Sequence, residues 1–269
     1  MSCIHSFADL CFKSALMGNN EVVCGYNYIF LQSVSSTNLF AGDLVRSASE
    51  SQKYFIRAGY QTHGMGQGGS GWESDANMNI LVSIVLKPSG ILPENQFFIT
   101  QAVSVGIMSA VGKIIDRNKL AVKWPNDIYY DENKLAGMLI SNIISGSDLQ
   151  WTIIGIGLNV NQTVFPTHVP RPVSLSLITG QVHDIEGLAH EMLCAIDQNL
   201  AQISLPAGTE KMEQAYHQSL FRLNKWADFS IGGEVKRAKI LGVAPYGLLQ
   251  IETESGEVES FGFKQIEFL

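Results

Sequence analysis

Positive charge is what this sequence has too little of. It carries 18 Lys and Arg against 25 Asp and Glu, a net charge of −7 at pH 7. Proteins that coat a phosphate backbone have the opposite balance, so DNA and RNA are excluded as the main partner. Cysteine is sparse too: Cys3, Cys11, Cys24 and Cys194 show no Cys-x-x-Cys spacing and read as reduced thiols of a cytoplasmic protein. No apolar run approaches the ~18 residues needed to cross a bilayer. His5, Asp9 and Lys13 break up the N-terminal stretch, which therefore reads as a short amphipathic helix and not a signal peptide. What remains is a 269-residue chain, 46% hydrophobic, able to bury a core without metal or disulfide. It suits one large domain, or a main domain with a small appendage.

Periodicity predicts strands over Tyr28–Leu31, Lys53–Arg57, Asn77–Leu86, Val122–Trp124, Ile128–Tyr130, Leu135–Ile144 and Trp151–Val160. Helices are expected from Leu39 to Val45, capped within Ser33–Asn38, from Gln96 to Ile115, from Asp184 to Ile203 and from Thr209 to Arg222. A loop with Pro166, Pro170 and Pro172 precedes the third of these. Beyond Trp226, short strands alternate with Gly232-Gly233, Pro245-Tyr246-Gly247 and Ser255-Gly256-Glu257, the pattern of a small all-β module. The expected domains are residues 1–223 and 224–269.

Residues 59–71 hold six glycines and no regular element. Gly64-x-Gly66-x-x-Gly69 matches a dinucleotide fingerprint, but that fingerprint opens a helix, and here Trp72 and a strand follow. No Walker A lysine follows a glycine run, and His190-Glu191 lacks the second histidine of a zinc helix, so no metal site is expected. Lys123-Trp124-Pro125-Asn126-Asp127 and Lys134-Leu135-Ala136-Gly137 face each other across a hairpin. A lysine, an Asn-Asp pair and a mobile loop rich in backbone amides suit phosphate binding or charge stabilisation at a phosphorus or carbonyl oxygen. The same residues also suit a decorated hairpin. Taken singly, Trp72 and Trp124 suit core aromatics, and Ser36 or Thr37 a helix cap.

Ser36-Thr37-Asn38, Tyr60-Gln61-Thr62, Trp72, Lys123–Asp127, Lys134–Gly137 and the Gly155-Ile156-Gly157-Leu158-Asn159-Val160-Asn161 run together resemble the biotin protein ligases in order and spacing, over nearly the whole chain. The resemblance implies an α+β fold: a central mixed sheet with flanking helices, of class II synthetase type, plus a small C-terminal SH3-like barrel. It implies the form without an N-terminal DNA-binding domain. The implied reaction activates biotin with ATP and Mg²⁺ to biotinyl-5′-AMP, then passes biotin to a lysine of a biotin carrier domain of a biotin-dependent carboxylase. Ser36, Thr37, Asn38, Gln61, Gly64, Gly66, Lys134 and Gly137 would bind biotin. Met65, Gln67, Trp72, Asn126 and Asn159 would lie at the nucleotide. Lys134 and Asp127 would be catalytic, Lys134 on the carboxylate and phosphate oxygens and Asp127 on the incoming amine. A monomer or homodimer is implied.

One departure stands out. The family loop carries arginines where this chain has Met65 and Gly68, and no Lys or Arg occurs between Arg57 and Lys87. Weakened adenylate synthesis is expected, since charge-assisted hydrogen bonds to phosphate are lost. Two alternatives stay open: a non-catalytic biotin or biotinyl-adenylate binding protein, and a lipoate or octanoate ligase or transferase.

Overall fold

The computed structural model describes residues 21–49, 51–205 and 207–269. The expected N-terminal helix falls outside them. The described residues divide into two compact units.

The first unit comprises residues 21–88, 138–164 and 174–193. Its strands are β1 (Val22–Val23), β2 (Tyr26–Leu31), β3 (Tyr54–Ala58), β4 (Ile80–Leu86), β8 (Asp148–Leu158) and the greater part of β7 (Asn133–Ser145). They lie in the order β1-β2-β3-β4-β8-β7. Strands β2 and β3 are parallel, while β3, β4 and β8 pair antiparallel. A parallel pair needs a crossover, which α1 (Thr37–Leu44) supplies. All seven residues of β4 are buried, as their unbroken ILVSIVL run suggests for a strand covered on both faces. On one face Ala41, Leu44 and Val45 close over Ile29, Ile56, Val85 and Ile153. Each large side chain buried there contributes about 1.5–3 kcal/mol. On the other face α4 (Ile185–Ile203) sets His190 edge-on to Tyr28, with Arg57 Nη1 2.9 Å from Glu186 Oε2.

The second unit comprises Ser89–Gly137, Phe165–Val173 and Cys194–Leu269. In it the start of β7 pairs with β6 (Asp127–Tyr130), and β6 with β5 (Leu120–Lys123), completing a large mixed sheet of eight strands. Helix α2 (Phe97–Val111) packs on α5 (Gly208–Gln218). The C-terminal strands β9 (Trp226–Ile231), β10 (Glu234–Val243), β11 (Leu249–Thr253), β12 (Val258–Phe261) and β13 (Ile266–Phe268) form an antiparallel sheet in the order β12-β11-β10-β9-β13. Gly232 and Gly233 turn β9 into β10 with φ of +61° and +84°, the positive pair that a two-residue hairpin requires.

Several expectations are corrected. The strand expected from Asn77 starts at Ile80, because Asn77 itself takes φ +60°. The helix expected through Arg222 stops at Gln218, after which the Ser219 carbonyl accepts from Val122 N and Phe221 N donates to the Val122 carbonyl. The proline loop is followed by a short helix, α3 (Leu175–Thr179), whose N-cap Ser174 Oγ accepts from Leu177 N. Cys24 and Cys194 are each one half of a disulfide, not reduced thiols. Spacing along the sequence does not report which sulfurs the fold brings together.

Candidate functional site

In the first unit a chain of polar side chains is built around the start of α1. Ser36 and Thr37 are 1% and 3% exposed. Ser36 occupies the N-cap position, but its side chain makes no capping hydrogen bond. Gln61 caps the helix instead, from the neighbouring segment: its Oε1 accepts from Thr37 N at 2.7 Å and from Thr37 Oγ1 at 3.0 Å. Gln61 is in reach because the backbone extends the β2–β3 pairing, Thr62 N donating to the Val34 carbonyl and His63 N to that of Ser35. Below this, Ser83 Oγ donates to Asn38 Oδ1 at 2.5 Å and lies 2.8 Å from Thr37 Oγ1. Asn38 Nδ2 donates to the Leu139 carbonyl. Ser83 is fully buried, the one polar residue in β4. Sequence reading passed over it because it sits inside an apolar run; its interruption of that run was the available signal.

The Gly155–Asn161 run explains itself sterically. A Cβ on Gly155 would collide with the Asn38 carboxamide, and one on Gly157 with the Trp72 indole. These glycines let two side chains lie directly on β8. Asn159 is 4% exposed, and its carbonyl accepts from Leu175 N. Asn161 acts elsewhere, its side chain holding Ser176 Oγ, His183 N and the His183 carbonyl. Asn79 and Gln162, also missed, brace the same segment, with Asn79 accepting from Val160 N and donating to Gln162 Oε1.

The glycine loop is a small closed hairpin. Met65 bridges Gly71, Gly66 N donates to the Ser70 carbonyl at 2.7 Å, and Trp72 N to the Gly64 carbonyl at 2.9 Å. Gln67–Gly69 form a 3₁₀ turn, with Gly68 and Gly69 at φ +68° and +89°. The expectation that the loop offers its amides freely is thus corrected for Gly66, Ser70 and Trp72, whose N–H groups are used within it. Gln67 Oε1 is buried without a partner among the described residues, whereas Met65 is 45% exposed.

The second unit holds the hairpin. Lys134 Nζ lies 2.8 Å from Asp127 Oδ1. Asp127 opens β6 opposite Lys123 and Gly137, and Lys134 is held by backbone bonds from its N to the Arg171 carbonyl and from Val173 N to its own carbonyl. Gly137 is buried and Asn126 half-buried. The Trp124–Pro125 peptide is cis. Trp124 is a core aromatic, its indole N–H donating to the Gly247 carbonyl at 2.9 Å. Lys123 Nζ donates to Tyr129 Oη, and burial pulls the Lys123 ammonium below its ordinary pKa, opposed by the Asp127 carboxylate. Burial, reinforced by Asp127, pushes the Tyr129 hydroxyl up to about 12. Among the described residues no group of three or more His, Cys, Asp or Glu stands together as a metal site, and no helix is long and apolar enough to cross a membrane.

Each unit therefore carries part of the motif set, and the chain can be compared as a whole. The model of the biotin/lipoate A/B protein ligase family matches residues 30–159. The bifunctional ligase/repressor BirA of Bacillus spizizenii is 30% identical over 258 residues, covering 89% of this chain and 73% of that protein. The biotin–[acetyl-CoA-carboxylase] ligase of Paracoccus denitrificans is 32% identical over 163 residues, 58% of this chain and 65% of its own. A solved structure of the biotin protein ligase from Aquifex aeolicus, in complex with biotin and ATP, matches with a TM-score of 0.73 at 25% identity, covering 90% of this chain and 98% of that one. With the motif residues standing in the arrangement described and a relative of this identity along most of its length, the chain belongs to the biotin protein ligase family.

Proposed function

We propose that this protein joins biotin to a lysine of a carrier domain in two steps. A biotin carboxylate oxygen attacks the α-phosphorus of MgATP; the acyl–phosphate bond forms, the bond to the β-phosphate breaks, and pyrophosphate leaves. The lysine amine then attacks the acyl carbon, an amide forms, and AMP leaves. Both steps are governed by positioning and by stabilisation of developing negative charge. The observation that carries this reading is the Gln61–Thr37–Ser83–Asn38 relay, buried at Thr37 and Ser83 and half-buried at Gln61 and Asn38: four neutral polar side chains fixed by one another can orient a ligand such as biotin's ureido ring without a charge.

Ser36, Gly64, Gly66 and Gly137 are assigned to the same ligand. Trp72, Met65, Gln67, Asn126 and Asn159 are assigned to the nucleotide. Lys134 is the cation for the carboxylate and phosphate oxygens, and Asp127 its orienting partner and the acceptor of the lysine proton. The metal is assigned to the substrate, since Mg²⁺ is commonly held by one or two carboxylates plus the phosphates themselves. Residues 1–223 are proposed as the ligase domain and 224–269 as an SH3-like module. The carrier is proposed to belong to a biotin-dependent carboxylase, the kind of acceptor in the name of the Paracoccus relative. A cytoplasmic site is proposed on those substrates, since the thiol argument for it no longer holds.

The test is incubation with biotin, MgATP and a biotin carrier domain, followed by intact mass of the carrier. A gain of one biotinyl group supports the reading, and an unmodified carrier under conditions where a known ligase labels it sinks it. The loop, without arginine and laced to itself, favours one second reading, a binder that forms no adenylate. Pyrophosphate release separates the two. If the loop merely slows catalysis, Met65→Arg speeds adenylate formation; Gly68→Arg is a poorer probe, because φ +68° strains any side chain. Competition between biotin and lipoate in a melting titration addresses the lipoate alternative.

A further inference from the structure

Lys134 shares its side of the sheet with other cations. In the second unit Tyr129 stands opposite Lys134 across β6 and β7, and Lys123 opposite Asp127 across β5 and β6. Cross-strand partners share a face, and so do alternate residues of one strand. The bonds agree: Lys134 Nζ meets Asp127 Oδ1, and Lys123 Nζ meets Tyr129 Oη. Two arginines act on the same face. Burial, then the Lys134, Arg222 and Arg171 charges, pull the Lys123 ammonium below its ordinary pKa against Asp127, and Arg171 and Arg222 oppose the burial-driven rise at Tyr129.

Arg222 is committed within the protein. Its Nη1 donates to the Leu269 carbonyl at 2.8 Å and its Nη2 to Glu132 Oε2 at 3.1 Å, with 20% of the side chain exposed. Arg171 is 65% exposed, and its ion pair to the same Glu132 oxygen is 3.5 Å long. Such an exposed pair contributes little and is readily exchanged for a stronger anion. The backbone beneath the side chain is fixed by contrast. The Arg171 carbonyl accepts from Lys134 N at 2.7 Å, and Pro172 forms a bridge with Lys134. Pro170 and Pro172 restrict the chain on either side, and Arg171 itself takes φ +45°, a left-handed conformation costly for a residue with a side chain.

The charges select the ligand. Lys123, Lys134, Arg171 and Arg222 stand against the carboxylates Asp127 and Glu132, so this face has positive charge to spare for a polyanion. A guanidinium is always charged and pairs with phosphate oxygens in a fork. The glycine loop brings no such group, since no Lys or Arg lies between Arg57 and Lys87. We infer that Arg171 leaves Glu132 and binds the β- and γ-phosphates of the nucleotide whose α-phosphate Lys134 meets, supplying from the Pro-Arg-Pro segment, residues 170–172, the charge that the glycine loop lacks. The inference rests on the proposed function for the placing of the α-phosphate at Lys134.

The test is calorimetry on biotin-saturated full-length protein with magnesium and α,β-methylene-ATP, an analogue that cannot release pyrophosphate, beside AMP, which lacks the outer phosphates. Arg171→Gln should weaken the analogue about 10- to 100-fold, the loss of one charge-assisted contact, with AMP affinity, biotin affinity and Tm unchanged. Arg171→Lys should recover part of the loss. Glu132→Gln should tighten the analogue when Arg171 is present and not in Arg171→Gln, because carboxylate and phosphate compete for one guanidinium. Lys119→Gln, which removes the cation paired with Asp131, should leave the analogue's affinity as it was. No loss in Arg171→Gln, an equal loss for AMP, or an equal loss in Lys119→Gln overturns the inference. Carrier labelling by the wild type decides the ligase reading separately. A labelled carrier with undiminished analogue affinity in Arg171→Gln removes the inference and leaves that reading; analogue binding weakened as expected, with no labelled carrier, supports the phosphate contact and removes that reading.

Discussion

Lys134 and Asp127 form an ion pair of 2.8 Å that is neither buried nor free, with 28% of the lysine and 19% of the aspartate side chain open to solvent. Such pairs contribute about 0–1 kcal/mol to folding. Their positions are nonetheless tightly set by the β6–β7 register and by the backbone bonds of Lys134 to Arg171 and Val173. Lys134→Gln is expected to cut pyrophosphate release by about 10²–10³-fold, in line with loss of a group that meets developing charge, while the Tm moves by a few degrees at most. Asp127→Asn should affect transfer to the carrier more than adenylate formation. A collapse of Tm parallel to the loss of rate would make the pair a structural one.

Gly157 leaves room for the Trp72 indole on β8. Gly157→Val should expel the ring from that place, changing tryptophan fluorescence and weakening nucleotide binding at least tenfold while biotin binding changes less. Unaltered ATP affinity with a displaced indole would remove Trp72 from the nucleotide assignment.

Ser83 holds the relay from beneath. Ser83→Ala takes away its hydroxyl and leaves Asn38 Oδ1 without that donor, at a cost of about 1–3 kcal/mol. Biotin affinity, measured by calorimetry, should fall together with stability. Full affinity in a destabilised variant would restrict the relay to folding.

The tyrosines give the protein an alkaline limit. Tyr129 is raised from 10 to about 12, and Tyr28, Tyr54 and Tyr216 are also raised, in each case first by burial. A group whose folded pKa is raised contributes stability that is complete below pH 10 and is lost as pH climbs through the folded value. Lys123, shifted down, works in the opposite direction, adding stability as pH rises toward 10.5. Urea unfolding should therefore show stability falling between pH 10 and 12, with a shallower fall in Tyr129→Phe. An unchanged slope in that variant would place the titration elsewhere.

Much of the site could be read from the sequence because its motifs have local causes. The Lys123–Asp127 and Lys134–Gly137 runs are a hairpin, and hairpin partners are few residues apart. The Gly155 and Gly157 requirement was written in the motif, though its reason was not: only the fold brings Asn38 and Trp72 against β8. Ser83, Asn79 and Gln162 escaped notice because the bonds that give them their place, Ser83 to Asn38 and Asn79 to Gln162, span 45 and 83 residues of the chain. The cap on α1 misled for a related reason. A serine at the N-cap position is a local signal, yet Gln61, 24 residues on, accepts the Thr37 amide. The disulfide-bonded state of Cys24 and Cys194 carried no local signal at all.

On the proposed function, the self-bonded loop would lie beside an acyl adenylate. An acyl adenylate is attacked by any amine that reaches it. From Ala58 to Leu86, through the loop, Trp72 and all of β4, there is no lysine side chain. The loop hairpin within that stretch also uses the N–H groups of Gly66, Ser70 and Trp72 internally. What the loop lacks as a phosphate clamp it has as an inert wall: it holds no side-chain amine, so whatever activated acyl group came to lie against it would find nothing in this stretch to acylate.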